Sequence, residues 1–212
     1  MDGRRGLMDL LHDRAAEDEI LQCLIEDEQG RDPLEDAADA AAHKRDKDWW
    51  TPLHWAAQDG HERLAVKLLA LRVSVNSGDQ CGATPLMIAA FNNQIGVVDA
   101  LLQENSIDVH QGNNYLSTAV HYAAQRGNAI IIRMLVDRNA KVDAIDRHGD
   151  TPLGWAARGG HLDAVKILCE LGADPEDDNN ASEDAMELAA EHGHVDVVEV
   201  LEAVVDDPTK AK

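Results

Sequence analysis

Thr51-Pro52-Leu53-His54-Trp55-Ala56-Ala57 comes back as Thr84-Pro85-Leu86-Met87-Ile88-Ala89-Ala90, and then as Thr118-Ala119-Val120-His121-Tyr122-Ala123-Ala124. It returns a fourth time as Thr151-Pro152-Leu153-Gly154-Trp155-Ala156-Ala157, and a worn fifth copy reads Asp184-Ala185-Met186-Glu187-Leu188-Ala189-Ala190. The copies start 33, 34, 33 and 33 residues apart. Each Thr can cap a helix with its hydroxyl. Pro52, Pro85 and Pro152 fall at the first helical position, where a missing N–H costs nothing. The Ala-Ala pairs let neighbouring helices approach closely. Gly60, Gly127, Gly160 and Gly193 end this short helix with a left-handed residue, and Asn93 does so in the second copy.

A second helix is expected after each of these stops, because apolar residues recur three and four apart. Leu64, Leu68 and Leu71 form the first set, and Val97, Val98, Leu101 and Leu102 the second. Ile131, Met134 and Leu135 form the third, Leu162, Val165, Ile167 and Leu168 the fourth, and Val195, Val198 and Leu201 the last. A turn then leads to the next Thr, with Gly82 and Gly149 two residues before it.

A period near 33 with T-P-L-H-x-A resembles the ankyrin repeat. The resemblance covers residues 46–204 as five repeats, bounded at about 46–78, 79–112, 113–145, 146–178 and 179–204. It implies an all-α solenoid of helix-turn-helix pairs with β-hairpin-like fingers. Three departures stand out. Repeat 3 lacks Thr-Pro and carries an extra residue, expected in its finger near Asn113-Asn114-Tyr115. Repeat 1 has Trp49 where the family places a finger glycine. Repeat 5 has lost Thr, Pro and His, as suits a terminal repeat whose outer face meets water.

Residues 1–45 lie outside the repeat. Leu7 to Ile25 is helix-forming, with Leu10-Leu11, Ala15-Ala16, Ile20-Leu21 and Leu24-Ile25 on one face. It reads as a degenerate N-terminal capping repeat, or alternatively as an acidic helical extension. Gly30 to Lys47 reads as an enlarged connection, and residues 205–212 as a tail.

The 212 residues carry a formal charge of −21, and hydrophobic residues make up 44 %. Such a chain is too apolar to be wholly disordered, and it has no basic surplus for gripping nucleic-acid phosphates. No run of apolar residues is long enough for a transmembrane helix, and the N-terminus lacks a signal-like apolar core. The three cysteines, Cys23, Cys81 and Cys169, form no CxxC pair, so reduced thiols are expected. A cytoplasmic location is expected, with a nuclear one also open. The charge is uneven. Residues 49–168 hold 11 acids and 10 bases, whereas residues 169–207 hold 14 acids and no base.

Catalytic chemistry needs a nucleophile, an acid–base pair or a metal held in a pocket. His61, His161 and His194 follow the inter-helix glycine, and His54 and His121 sit at the TPLH position, so all five read as structural. Glu191-His192-Gly193-His194 has no further ligand near it in sequence, and HExxH, CxxC and phosphate loops are absent. No enzyme, metal or cofactor is expected. Trp55, Tyr122 and Trp155 share one register and read as packing between helices.

The resemblance implies that partners bind along fingers and first helices. At those registers stand Trp50, Gln58, Asp59, Phe91, Asn92 and Tyr115. They are followed by Gln125, Arg126, Arg147, His148 and Arg158, and then by Glu183 and Glu191. Trp50, Phe91 and Tyr115 are expected to face solvent, beginning a strip that runs from aromatic to basic to acidic. The expected function is that of a monomeric, non-catalytic protein–protein interaction module, without nucleic acid or membrane. One alternative is a dedicated escort or inhibitor of a highly basic client. The other is a structural adaptor within an assembly.

Overall fold

The computed structural model describes residues 7–13, 17–28 (backbone alone from 23) and 43–206. Much of the expected 30–47 connection, Ala15-Ala16, the side chains of Leu24-Ile25 and the tail from residue 207 lie outside the described residues. Every regular element among those described is a helix. The chain divides into two compact units, Met1–Ile107 and Asp108–Lys212.

The N-terminal unit holds α1 (Leu7–His12), α2 (Glu17–Glu28), α3 (Pro52–Asp59), α4 (Glu62–Ala70), α5 (Pro85–Phe91) and α6 (Ile95–Leu102). First helices pack on first helices, as α3 on α5, and second on second, as α4 on α6. The alanine pairs permit this, with Ala56, Ala57, Ala89 and Ala90 all at 0 % exposure. The helices α1 and α2 pack on α3 and α4 in the same manner. Leu7, Leu10, Leu11, Ile20 and Leu21 are buried there. Glu17 accepts the N–H of Leu64 at 3.0 Å, filling an orphan donor in the first turn of α4.

The C-terminal unit holds α7 (Ala119–Gln125), α8 (Ala129–Asp137), α9 (Pro152–Arg158), α10 (Leu162–Glu170), α11 (Ala185–Glu191) and α12 (Val195–Asp206). Here α7, α9 and α11 form one packed row, and α8, α10 and α12 the other. Cys169 is buried in the second row, and burial pushes its thiol up to about 11, so it is a small apolar residue rather than a nucleophile.

The inter-helix stops behave as their residues dictate. Gly60, Gly127, Gly160 and Gly193 all have positive φ, as does Asn93. Gly160 is needed twice over. Its φ is +67°, and a Cβ there would lie 2.4 Å from the His194 ring, which reaches back to the Arg158 carbonyl at 3.1 Å.

The fingers share one design that the T-P-L motif did not reveal. Five residues before each helix cap stands Asp46, Asp79, Asn113, Asp146 or Asn179. In every case Oδ1 accepts the backbone N–H groups two and four residues on, at 2.7–3.1 Å. The fourth finger residue is left-handed each time, whether Trp49, Gly82, Leu116, Gly149 or Ser182. The finger of repeat 3 is therefore no longer than the others. The extra residue falls instead between Leu102 and Val109, since buried Val75 and Val109 each sit four residues before the finger Asp or Asn.

Candidate partner-binding surface

In repeats 1 and 3 a histidine ties the first helix to the finger of the next repeat. In the N-terminal unit the N–H of Thr51 donates to Nδ1 of His54 at 3.1 Å. Nδ1 is thus the acceptor, and Nε2–H donates to the Ala83 carbonyl at 3.0 Å. In the C-terminal unit His121 repeats this with Thr118 and the Asp150 carbonyl, at 3.1 Å each. Burial holds both imidazoles below the ordinary value, against the opposing pull of those carbonyls and of nearby aspartates. These histidines are neutral bridges between repeats.

The aromatic at the fourth residue after the cap reaches back to its own finger. Trp55 donates to Asp46 Oδ2 and Trp155 to Asp146 Oδ2, both at 3.2 Å. In repeat 3 both partners change together, and the Nδ2 of Asn113 donates to the Tyr122 hydroxyl at 3.0 Å. An indole N–H can only donate, so it requires the carboxylate. A phenol oxygen can accept, so it suits the amide.

The expected exposure of Trp50 is corrected. Trp50 is half-buried, with its ring 4.9 Å from Trp55 and 5.8 Å from His54, and its Nε1–H donates to Asp79 Oδ2 at 3.3 Å. The capture of the ring by the next finger's acid turns it inward. His12 of α1 completes the cluster, 4.9 Å from Trp55 and 3.6 Å from the Asp46 carboxylate. Phe91 is likewise half-buried, as are Gln58 and Asp59. Asn92 is exposed at the end of α5, and its amide donates to the Ile88 carbonyl at 2.9 Å. Trp49, the neighbour of Trp50, is the exposed indole, with Arg45 lying 5.8 Å from its ring.

Tyr115 is 55 % exposed, in agreement with its register. Its backbone carbonyl accepts the N–H of Arg147 at 2.9 Å, stitching finger 3 to finger 4. Trp50→Ala is expected to cost about 2 kcal/mol of stability, because packed rings and a hydrogen bond are lost. Tyr115→Ala is expected to stay within about 0.5 kcal/mol, as at other surface sites. Urea unfolding of both variants checks this, and equal losses would contradict the assignment.

The remaining predicted residues lie in the C-terminal unit, where two hollows open on the finger side. The larger, about 460 Å³, is walled by His148, Asp150, Arg158, Asn180 and Glu183 among others. The smaller, about 230 Å³, is lined by Gln125, Trp155, Arg158 and Gly159. Arg158 belongs to both. Gln125, His148, Arg158 and Glu183 are thus brought together from three repeats, whereas Arg126, Arg147 and Glu191 are exposed but line neither hollow. The expected basic zone is weaker than its residue count, because Arg158 is held at 3.0 Å by the buried carboxylate of Asp150. Asn179 donates to the other oxygen of that carboxylate at 2.7 Å. Gly154 stands where a bridging histidine would, and these finger contacts tie repeat 5 to repeat 4 instead.

Among the described residues no three His, Cys, Asp or Glu are grouped to hold a metal. No helix among them is long and apolar enough to cross a membrane. His192 and His194 stack at 6.4 Å, but their ring nitrogens engage the carbonyls of Leu188 and Arg158.

This fold of helix pairs and fingers matches the family model of ankyrin repeats over residues 11–113 and 107–179. The chain belongs to the ankyrin-repeat family, whose members are generally protein–protein interaction modules rather than enzymes. It is 39 % identical to the palmitoyltransferase ZDHHC17 of Danio rerio over 48 % of this chain and 22 % of that protein. It is 36 % identical to the transient receptor potential cation channel subfamily A member 1 of Homo sapiens over 49 % of this chain and 10 % of the channel. An ankyrin repeat protein of fowlpox virus is 32 % identical, with 48 % of this chain and 70 % of the viral protein covered. The match spans less than a quarter of the palmitoyltransferase and of the channel, so the likeness concerns the repeats.

Proposed function

We propose that this chain is a non-catalytic module that holds a segment of a partner protein on the finger side of its C-terminal unit, and that the segment is basic. The observation that carries the reading is the convergence of Gln125, His148, Arg158 and Glu183 on two adjoining hollows. Those walls are fixed by finger and helix hydrogen bonds before any partner arrives, so little ordering cost opposes binding.

Charge selects the partner. Residues 169–207 contain 14 acids and no base. Burial, and then the neighbouring Asp174, Asp143 and Asp178, raise the pKa of Asp177, a sign of carboxylates crowded against one another. A cationic segment relieves that repulsion and is steered towards it over a Debye length of about 8 Å at physiological salt. This favours the escort of a basic client over a structural adaptor. Helices α1 and α2, packed on α3 and α4, act in this reading as the closing repeat of the N-terminal end.

The test is a fluorescence-anisotropy titration with a fluorescein-labelled peptide of alternating arginine and glycine. Affinity is expected to fall at least about tenfold between roughly 50 and 300 mM sodium chloride, as screening shortens the field's reach. An affinity unmoved by salt contradicts the proposal.

A further inference from the structure

Repeat 4 shows how this fold sets a guanidinium against a finger carboxylate. Asp150, the last finger residue before Thr151, is buried. Arg158, eight residues on and at the end of α9, donates to its Oδ2 at 3.0 Å. Repeat 5 keeps the acid and drops the cation. Glu183 stands at the register of Asp150, immediately before the helix cap Asp184, and the residue eight further on is Glu191.

Glu183 is half-buried in the wall of the larger hollow. Its Oε2 accepts from the neutral amide of Asn179 at 3.1 Å. No cationic side chain among the described residues forms an ion pair with Glu183 or Glu191. The neighbouring acid Glu187 is already used at the start of α11, where it and Asp184 accept each other's backbone N–H. A half-buried carboxylate that is bonded to a neutral amide and paired with no cation gains more from a cation than a fully solvated one does.

We infer that the hollow between the last two fingers receives one arginine side chain of the partner. Its guanidinium sits against Glu183, the carboxylate of that wall that Arg158 does not already hold. The planar fork of arginine fits a carboxylate with two parallel hydrogen bonds, whereas a lysine ammonium offers only a point charge. At about 460 Å³ the hollow admits the whole side chain, and His148, Asn180 and the Arg158–Asp150 pair line it beside Glu183. The inference rests on the proposed basic partner and adds to it a position and a residue type.

The experiment uses the full chain, the arginine–glycine peptide above and its lysine counterpart. Glu191→Arg supplies the missing cation from within, as in repeat 4, and is expected to weaken the arginine peptide about tenfold, equivalent to ~1.4 kcal/mol. Glu199→Arg makes the same change of charge at an exposed position of α12, outside the residues that line the hollow, and is expected to weaken it no more than about twofold, by screening alone. The milder Glu183→Gln, which keeps shape and fold, is expected to weaken it about fivefold and to erase the preference for arginine over lysine. Thermal melts confirm that each variant is folded. Equal weakening by Glu191→Arg and Glu199→Arg, with salt dependence retained, overturns this site while leaving a diffuse acidic surface that binds basic segments. Absence of any binding to the unaltered chain overturns both.

Discussion

Asp146→Ala is expected to lower the unfolding free energy by about 3–4 kcal/mol. Asp146 is 5 % exposed, and its carboxylate holds three donors, the backbone N–H of His148 and Asp150 and the indole N–H of Trp155. Removing it strands all three and opens the finger that carries His148 and Asp150. Asp146→Asn tests the chemistry more finely. Asn113 and Asn179 show that an amide oxygen serves the two backbone donors equally well. The amide nitrogen, however, would face the indole N–H, donor against donor, at a cost of about 1–2 kcal/mol. Pairing it with Trp155→Tyr recreates the Asn113–Tyr122 contact. A double-mutant cycle by urea unfolding is therefore expected to give a favourable coupling of about 1 kcal/mol, and a coupling near zero would contradict the finger account.

His121→Leu is expected to cost about 2–4 kcal/mol, because it leaves the Asp150 carbonyl and the Thr118 N–H buried without their partner. His121→Met is expected to be milder, since Met87 holds the same register in repeat 2 with its sulfur 3.4 Å from the Thr84 nitrogen. The bridge also predicts a pH dependence. Burial keeps the folded pKa of His54 and His121 below the unfolded 6.5, so on acidification the unfolded chain takes up protons first. Their contribution is whole above about pH 6.5 and is lost progressively as the pH falls from there towards the folded values. Most carboxylates titrate lower, so melting temperatures compared between about pH 7 and 5.5 isolate the histidines. The unaltered chain is expected to lose more than His121→Met over that interval, and parallel curves would contradict the bridge.

The repeat was legible because its local rules agree with one another. Cap, proline, alanine pair and stop recur in step, and each has a backbone reason. The left-handed stops at Gly60, Gly127, Gly160 and Gly193, and at Asn93, are where the sequence puts them. The finger acids were harder to see. Asp46, Asp79, Asn113, Asp146 and Asn179 alternate between carboxylate and amide, and only their common Oδ1 acceptor unites them. The extra residue lies in repeat 2, between Leu102 and Val109, and the sequence points instead to finger 3 because Leu116, without glycine to mark it, takes the left-handed tip position at φ +64°. In the candidate surface, register alone brought Gln125, His148, Arg158 and Glu183 to the hollows. Register could not show that Asp79 would draw the Trp50 indole inward or that Asp150 would neutralise Arg158. Both depend on side chains 29 and 8 residues apart that meet only after finger and helix have folded.

The claim that a basic segment lies on the finger side of the C-terminal unit is tested most directly by mapping amide shifts. The ¹⁵N-labelled chain would be titrated with the arginine–glycine peptide and the perturbed resonances assigned. The account predicts that they gather at Tyr115, Gln125, His148, Arg158, Asn180, Glu183 and Glu191. Perturbations gathered on α8, α10 and α12, with those residues unmoved, would contradict it.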